Sequence, residues 1–179
     1  MLVPPALVTL ATLLGHNQQV VESSLWQIPD FLPSPLFLPL YFLYSFIFLG
    51  PIGEEFGWRG YALDQLQARW SGLTASMILG VLWGLWHLPL FWLAGTAHSD
   101  SLPLGWFVLS AVFLSILLTY LYNRTAKSLL AVMLFHQLVN FSLFLTPLAI
   151  SPVAFAYLAL LYGVAAGGLV IVGGRRLGG

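Results

Sequence analysis

Residues 101–123 read SLPLGWFVLSAVFLSILLTYLYN, with no Asp, Glu, Lys or Arg anywhere in the run. A helix that crosses a bilayer needs about 20 mostly apolar residues, so this run is long enough for one span. Three other stretches are equally free of charge: 31–53, 70–99 and 128–174. The last contains Pro147 and Pro152 near its middle and divides into two spans. Residues 2–14 are also apolar, but they are short for a span, and no Lys or Arg precedes them as a signal peptide would require. They read as a tilted or interfacial helix, or as the end of a longer apolar region.

The whole chain repeats the pattern of that run. Of its 179 residues, 59% are hydrophobic and 7% charged, where soluble domains carry about a quarter charged residues. The expectation is an all-α polytopic transmembrane bundle of five to six hydrophobic segments. Its parts are an N-terminal apolar segment and loop (1–35), an intramembrane core (36–148), and a last helix with a basic tail (149–179). Helices are expected at 2–14, 36–69, 72–94, 104–122, 128–147 and 153–173. With no cysteine, disulfides, thiolate ligands and a cysteine nucleophile are excluded. The net charge of zero gives no reason to expect nucleic acid; membrane lipids are the expected surroundings.

Basic residues fix an orientation. Arg69 follows the 36–69 helix, Arg124 and Lys127 lie between the fourth and fifth helices, and Arg175 and Arg176 close the chain. Successive turns alternate sides, so these three regions share one side, cytoplasmic by the positive-inside rule. The opposite loops carry Glu22, Asp30 and Asp100. Trp26, Trp70, Trp92 and Trp106 fall near the expected interfaces, as an aromatic belt would, and His16 and His98 read as solvated loop residues.

A charge deep in a bilayer is costly and normally faces the bundle interior to serve function. Gly53-Glu54-Glu55-Phe56-Gly57-Trp58-Arg59-Gly60 holds three such charges. The bland alternative ends the helix near Pro51 and leaves them in a cytoplasmic loop. On a continuous helix, Glu55 and Arg59 stand i,i+4 in the favourable order for an ion pair. Glu54 points about 100° away, beside a face of Gly50, Gly53, Gly57 and Gly60. Glu55–Arg59 is therefore read as a structural pair and Glu54 as the working carboxylate. On the next helix Gly80, Gly84 and His87 share a face; in an antiparallel hairpin a glycine-lined contact would bring His87 and Glu54 within reach of one water. A third helix presents His136 and Asn140 at i,i+4. Either alone is as readily a helix-bridging group; three polar faces together favour chemistry.

A buried carboxylate near a histidine can activate water as a general base, and two donors nearby can steady an oxyanion. The sequence contains no His-Glu-x-x-His motif and no Gly-x-Ser-x-Gly elbow. Asp30, Asp64 and Asp100 lie in loops or at helix ends, which leaves no intramembrane aspartate dyad, and Lys127 is interfacial.

The ordered set Glu54-Glu55-x-x-x-Arg59, Trp83-x-x-x-His87 and His136-x-x-x-Asn140 resembles the signature of the CAAX protease and bacteriocin-processing family of intramembrane peptidases. That family includes type II CAAX prenyl endopeptidases, lysostaphin-resistance-like proteins and bacteriocin self-immunity proteins. The resemblance covers roughly residues 40–145. It departs at Trp83, where the family commonly has Phe and where little consequence is expected, and in having fewer spans than many members. It implies an endopeptidase acting on a membrane-associated peptide or lipidated protein, with prenylated CAAX-type tails among the substrates it suggests. In it Glu54 and His87 activate water, His136 and Asn140 lie near the oxyanion, and Glu55 and Arg59 hold the helix. Both metal-free and metal-dependent mechanisms are open: Glu54, His87 and His136 could hold a divalent ion such as zinc in a catalytic geometry. Two other readings stand beside it. One is a non-catalytic membrane immunity or scaffold protein that keeps the polar cluster for packing; the other is a small transporter with an intramembrane proton site.

Overall fold

The computed structural model describes residues 2–15, 28, 32–100, 102–146 and 151–178. Residues His16, Glu22, Trp26 and Asp30, singled out above, lie outside this set, as does Pro147. The described residues form an all-α bundle: α1 (Val3–Gly15), α2 (Leu38–Phe48), α3 (Pro51–Gly57), α4 (Leu63–Gln67), α5 (Gly72–Trp86), α6 (Ala97–Asp100), α7 (Leu104–Arg124), α8 (Leu129–Phe144) and α9 (Pro152–Gly173). Among the described residues, three helical stretches are long and apolar enough to cross a membrane, at Pro35–Gln67, Leu104–Arg124 and Pro152–Gly173. Val3–Gly15, Gly72–Trp86 and Leu129–Phe144 are shorter apolar helices. Leu40, Phe48, Val164 and Ile171 stand bare on the outside, as lipid-facing residues should.

Helix α7 is the centre of the bundle. It packs against α5, α8 and α9, while α1 lies against α8 and α9. Its buried face runs through Ala111, Leu114, Ser115, Leu118, Thr119 and Tyr122, and this face meets the glycines of α5. A Cβ at Gly80 would stand 2.5 Å from Val112 Cα, so only glycine permits this approach. The small-residue face of α5 thus serves α7 and not the Glu54 helix, as the hairpin argument had it.

The long helix expected at 36–69 is interrupted. Gly50 has φ +119°, a conformation open to glycine at little cost, and Pro51 restarts the helix as its first residue. A Cβ at Gly50 would also lie 2.5 Å from Glu54 Oε1. The helix does break beside Pro51, as the loop alternative held, yet Glu54, Glu55 and Arg59 are helical. Over Trp58–Ala62 the backbone widens into a π turn, with Leu63 N–H donating to Trp58 O. Such turns occur often at functional sites. Helix α5 is likewise shorter than the expected 72–94. It ends at Trp86, with His87 as its cap and a 3₁₀ turn over Leu88–Phe91. Pro89 supplies no N–H, and its ring would clash with the carbonyl four residues back.

The three basic regions meet at one end of the bundle. Leu73 N–H donates to Arg175 O at 2.9 Å, the Asn123 amide donates to Gln67 Oε1 at 3.0 Å, and Lys127 Nζ lies 3.0 Å from Asp64 Oδ1. Trp70 and Trp92 are exposed, whereas Trp106 is half-buried against the core.

Candidate active site

Trp83 is the hub of the site. Its indole N–H donates to Glu54 Oε2 at 2.6 Å, and its main-chain carbonyl accepts from His87 Nδ1 at 2.9 Å. The edge-on ring of His136 lies 5.1 Å from it, and the Arg59 guanidinium sits 4.8 Å over its face. One nearly buried aromatic therefore touches all three polar elements read from the sequence, from α3, the end of α5, and α8. A carbonyl can only accept a hydrogen bond, so the neutral His87 ring carries its proton on Nδ1 and keeps a free lone pair on Nε2.

The neighbouring carboxylates stand in opposite surroundings. Glu55 and Arg59 are fully buried and paired at 2.9 Å, and Glu55 Oε1 also accepts from His136 Nδ1 at 2.8 Å. This knot ties α3 and the π turn to α8. Glu54 is half-buried and lines an open cavity of about 540 Å³ together with Ile47, Gly50, Gly53, Gly57, Trp58 and Trp86. A Cβ at Gly53 or Gly57 would meet nothing within 4 Å. The glycine face thus forms the bare wall of a groove.

Asn140 is placed elsewhere. Its side chain lines a smaller cavity between α2 and α8 with Tyr41, Ser45 and Gln137. His98, expected to be solvated, is half-buried: its ring stacks on His87 with centroids 5.9 Å apart, and Phe91 and Phe107 pack against it. Burial, and secondly the charge on His87, hold the His98 pKa below the ordinary histidine value. Trp83 itself was passed over as a neutral replacement for Phe. An indole N–H that must find a partner inside a membrane was the available signal.

The metal reading requires Glu54, His87 and His136 to converge on one ion. Among the described residues no three His, Asp or Glu side chains do so. The Nδ1 atoms of both histidines are engaged, which leaves Nε2 as the ring nitrogen open to a ligand; it is the lack of convergence that argues against a shared ion. The residues do not fit a shared ion in this arrangement, and no step below passes through one.

Fold and site together define a multi-pass, all-α membrane protein with an ionisable cluster inside its bundle. Residues 35–142 match the family described as type II CAAX prenyl endopeptidase Rce1-like, and the chain belongs to that family. It is also 37% identical, over 109 residues, to CAAX prenyl protease 2 of Methanococcus maripaludis. That alignment covers 58% of this chain and 39% of the relative, so the chain spans about two fifths of the relative's length.

Proposed function

We propose that the chain is an intramembrane endopeptidase that hydrolyses a membrane-associated, CAAX-type prenylated peptide with water activated by Glu54 and His87. One observation carries the reading: Glu54, outside every salt bridge among the described residues, presents its carboxylate to an open groove, while Glu55 beside it is sealed against Arg59 and His136. The prenylated substrate is drawn from the family and from the relative's name.

In the proposed reaction an extended peptide lies along the wall of Gly53 and Gly57, where no side chain keeps its backbone away. Water oxygen adds to the scissile carbonyl carbon, and its proton passes to Glu54 or to the lone pair on His87 Nε2. As the tetrahedral intermediate collapses, the C–N bond breaks and that proton leaves on the amine. Trp83 fixes the geometry by holding Glu54 through its side chain and His87 through its backbone. His136, against the Trp83 ring, can serve the oxyanion only as the imidazolium, because its neutral ring gives Nδ1–H to Glu55 and keeps just a lone pair on Nε2. Asn140 retains its place in the proposal through the helix turn it shares with His136, and Asn140→Ala tests it. The basic end is proposed to be cytoplasmic, which places Glu54 roughly 20 Å along the helix from that side.

The test is cleavage of a farnesylated CAAX peptide by purified protein in proteoliposomes, alongside metal analysis of the same sample. Glu54→Ala and His87→Ala should each lower turnover by about 10²–10⁴, with insertion unchanged. Cleavage by Glu54→Ala at the native rate would remove that residue from the mechanism.

A further inference from the structure

The cavity between α2 and α8 is small, about 90 Å³, and its polar lining is only partly satisfied. Gln137 is 1% exposed. Its amide nitrogen donates to Phe42 O at 3.1 Å and to Ser45 Oγ at 2.7 Å. A main-chain carbonyl only accepts, so flipping the amide would set two oxygens against each other; the nitrogen must face α2. Ser45 spends its own proton on Phe42 O at 3.1 Å. Gln137 Oε1 is therefore fixed on the remaining side, buried and without a hydrogen-bond partner among the described residues. Half-buried Asn140, one turn along, makes no side-chain hydrogen bond among them either and lines the same cavity. An amide oxygen and an entire carboxamide thus face one chamber inside an apolar bundle.

We propose that this chamber is a water-binding site. A water occupies about 30 Å³ of liquid volume, so the chamber has room for about three, and buried waters settle where two to four polar groups converge. Gln137 Oε1 accepts from one molecule, and the Asn140 carboxamide both donates to and accepts from its neighbours. His136 directly precedes Gln137, and the chamber therefore borders the helix turn that carries it. As a store of water for hydrolysis, the chamber rests on the proposed peptidase reading; as a hydrated site, it does not.

Radiolytic hydroxyl labelling tests this on the intact protein in detergent, because a brief X-ray pulse converts ordered water into radicals that mark the side chains beside it. Tyr41 and Phe141, which line the chamber and are half-buried, should be labelled at least tenfold faster, after allowance for intrinsic reactivity, than half-buried Phe46 and Phe113 outside it. Gln137→Met, similar in length but apolar, should bring both down to that reference rate while exposed Trp70 is labelled as before. Asn140→Leu leaves the Gln137 bridges to α2 intact and should lower Tyr41 and Phe141 labelling likewise, which provides a second variant if Gln137→Met misfolds. Labelling of Tyr41 and Phe141 in the wild type no faster than that of Phe46 and Phe113, or labelling unmoved by either variant, overturns the site. No substrate is present, so failure here is distinct from failure to cleave a prenylated peptide. If the chamber is hydrated and Gln137→Met still cleaves at the native rate, the storage role falls.

Discussion

Glu54 and Glu55 are neighbours in sequence and opposites in environment. On the Glu55 side, carboxylate, guanidinium and imidazole close on one another with no solvent exposure of the acid or the arginine. On the Glu54 side, a carboxylate held by one indole N–H faces a groove walled by glycine. The cause is the rotation of about 100° per helical residue, which sends consecutive side chains to different neighbours. A charge that is fully paired in low dielectric resists change. One left half-open and lightly held stays within reach of whatever enters the groove. The comparison teaches that a two-residue acidic motif in a membrane helix can seal one carboxylate and leave its neighbour open.

Breaking the sealed side should have the largest effect. Arg59→Ala leaves Glu55 buried without its guanidinium counter-charge, and losing one partner of a buried pair costs about 3–5 kcal/mol. Denaturation in detergent should show that loss, and replacing Glu55 by Met as well should recover much of it. A double variant as unstable as the single one would mean that the knot is not an ion-pair anchor.

On the open side, Trp83→Phe keeps a ring against Arg59 and His136 but deletes the donor to Glu54. A hydrogen bond to a charged group is worth about 1.5–3 kcal/mol, so turnover should fall by roughly 10–100-fold with a smaller loss of stability. Native turnover in this variant would show that the indole does not position Glu54.

Much of this was legible in the sequence, for identifiable reasons. Apolar runs announced the spans because bilayer thickness sets a length. The i,i+4 spacing of Glu55 and Arg59 announced their pairing because helix geometry is local. The common end of the three basic regions followed from alternating turns. What escaped was non-local. Gly80 and Gly84 mark a smooth face, but periodicity cannot say that the neighbour is α7. Gly50 and Pro51 signalled a break, yet not that the helix would resume after only two residues, Leu49 and Gly50. Gln137 went unread because it carries no charge, although a carboxamide in a charge-free run raises the same question as His136 or Asn140. His98 reads as solvated because it sits in a loop, and only the packing of Phe91 and Phe107 reveals its burial.

The smallest expected effect concerns His98 in α6, which packs against His87 beyond the C-terminal end of α5. Its folded pKa lies below its unfolded value near 6.5, so the unfolded chain binds more protons in that window. Its share of stability is complete above about pH 6.5 and declines as pH falls below it. Between pH 7.5 and 5.5 the denaturation midpoint should fall more for wild type than for His98→Phe, which keeps a ring against His87, Phe91 and Phe107. Equal slopes would show that His98 is solvated after all.

The division of labour is tested most directly by measuring cleavage and folding stability together in Glu54→Gln and Glu55→Gln. Glu54→Gln should fold as wild type does and lose cleavage by two orders of magnitude or more. Glu55→Gln should lose stability, with residual cleavage tracking the folded fraction. The reverse pattern, an active Glu54→Gln beside a stable but inactive Glu55→Gln, would contradict the account.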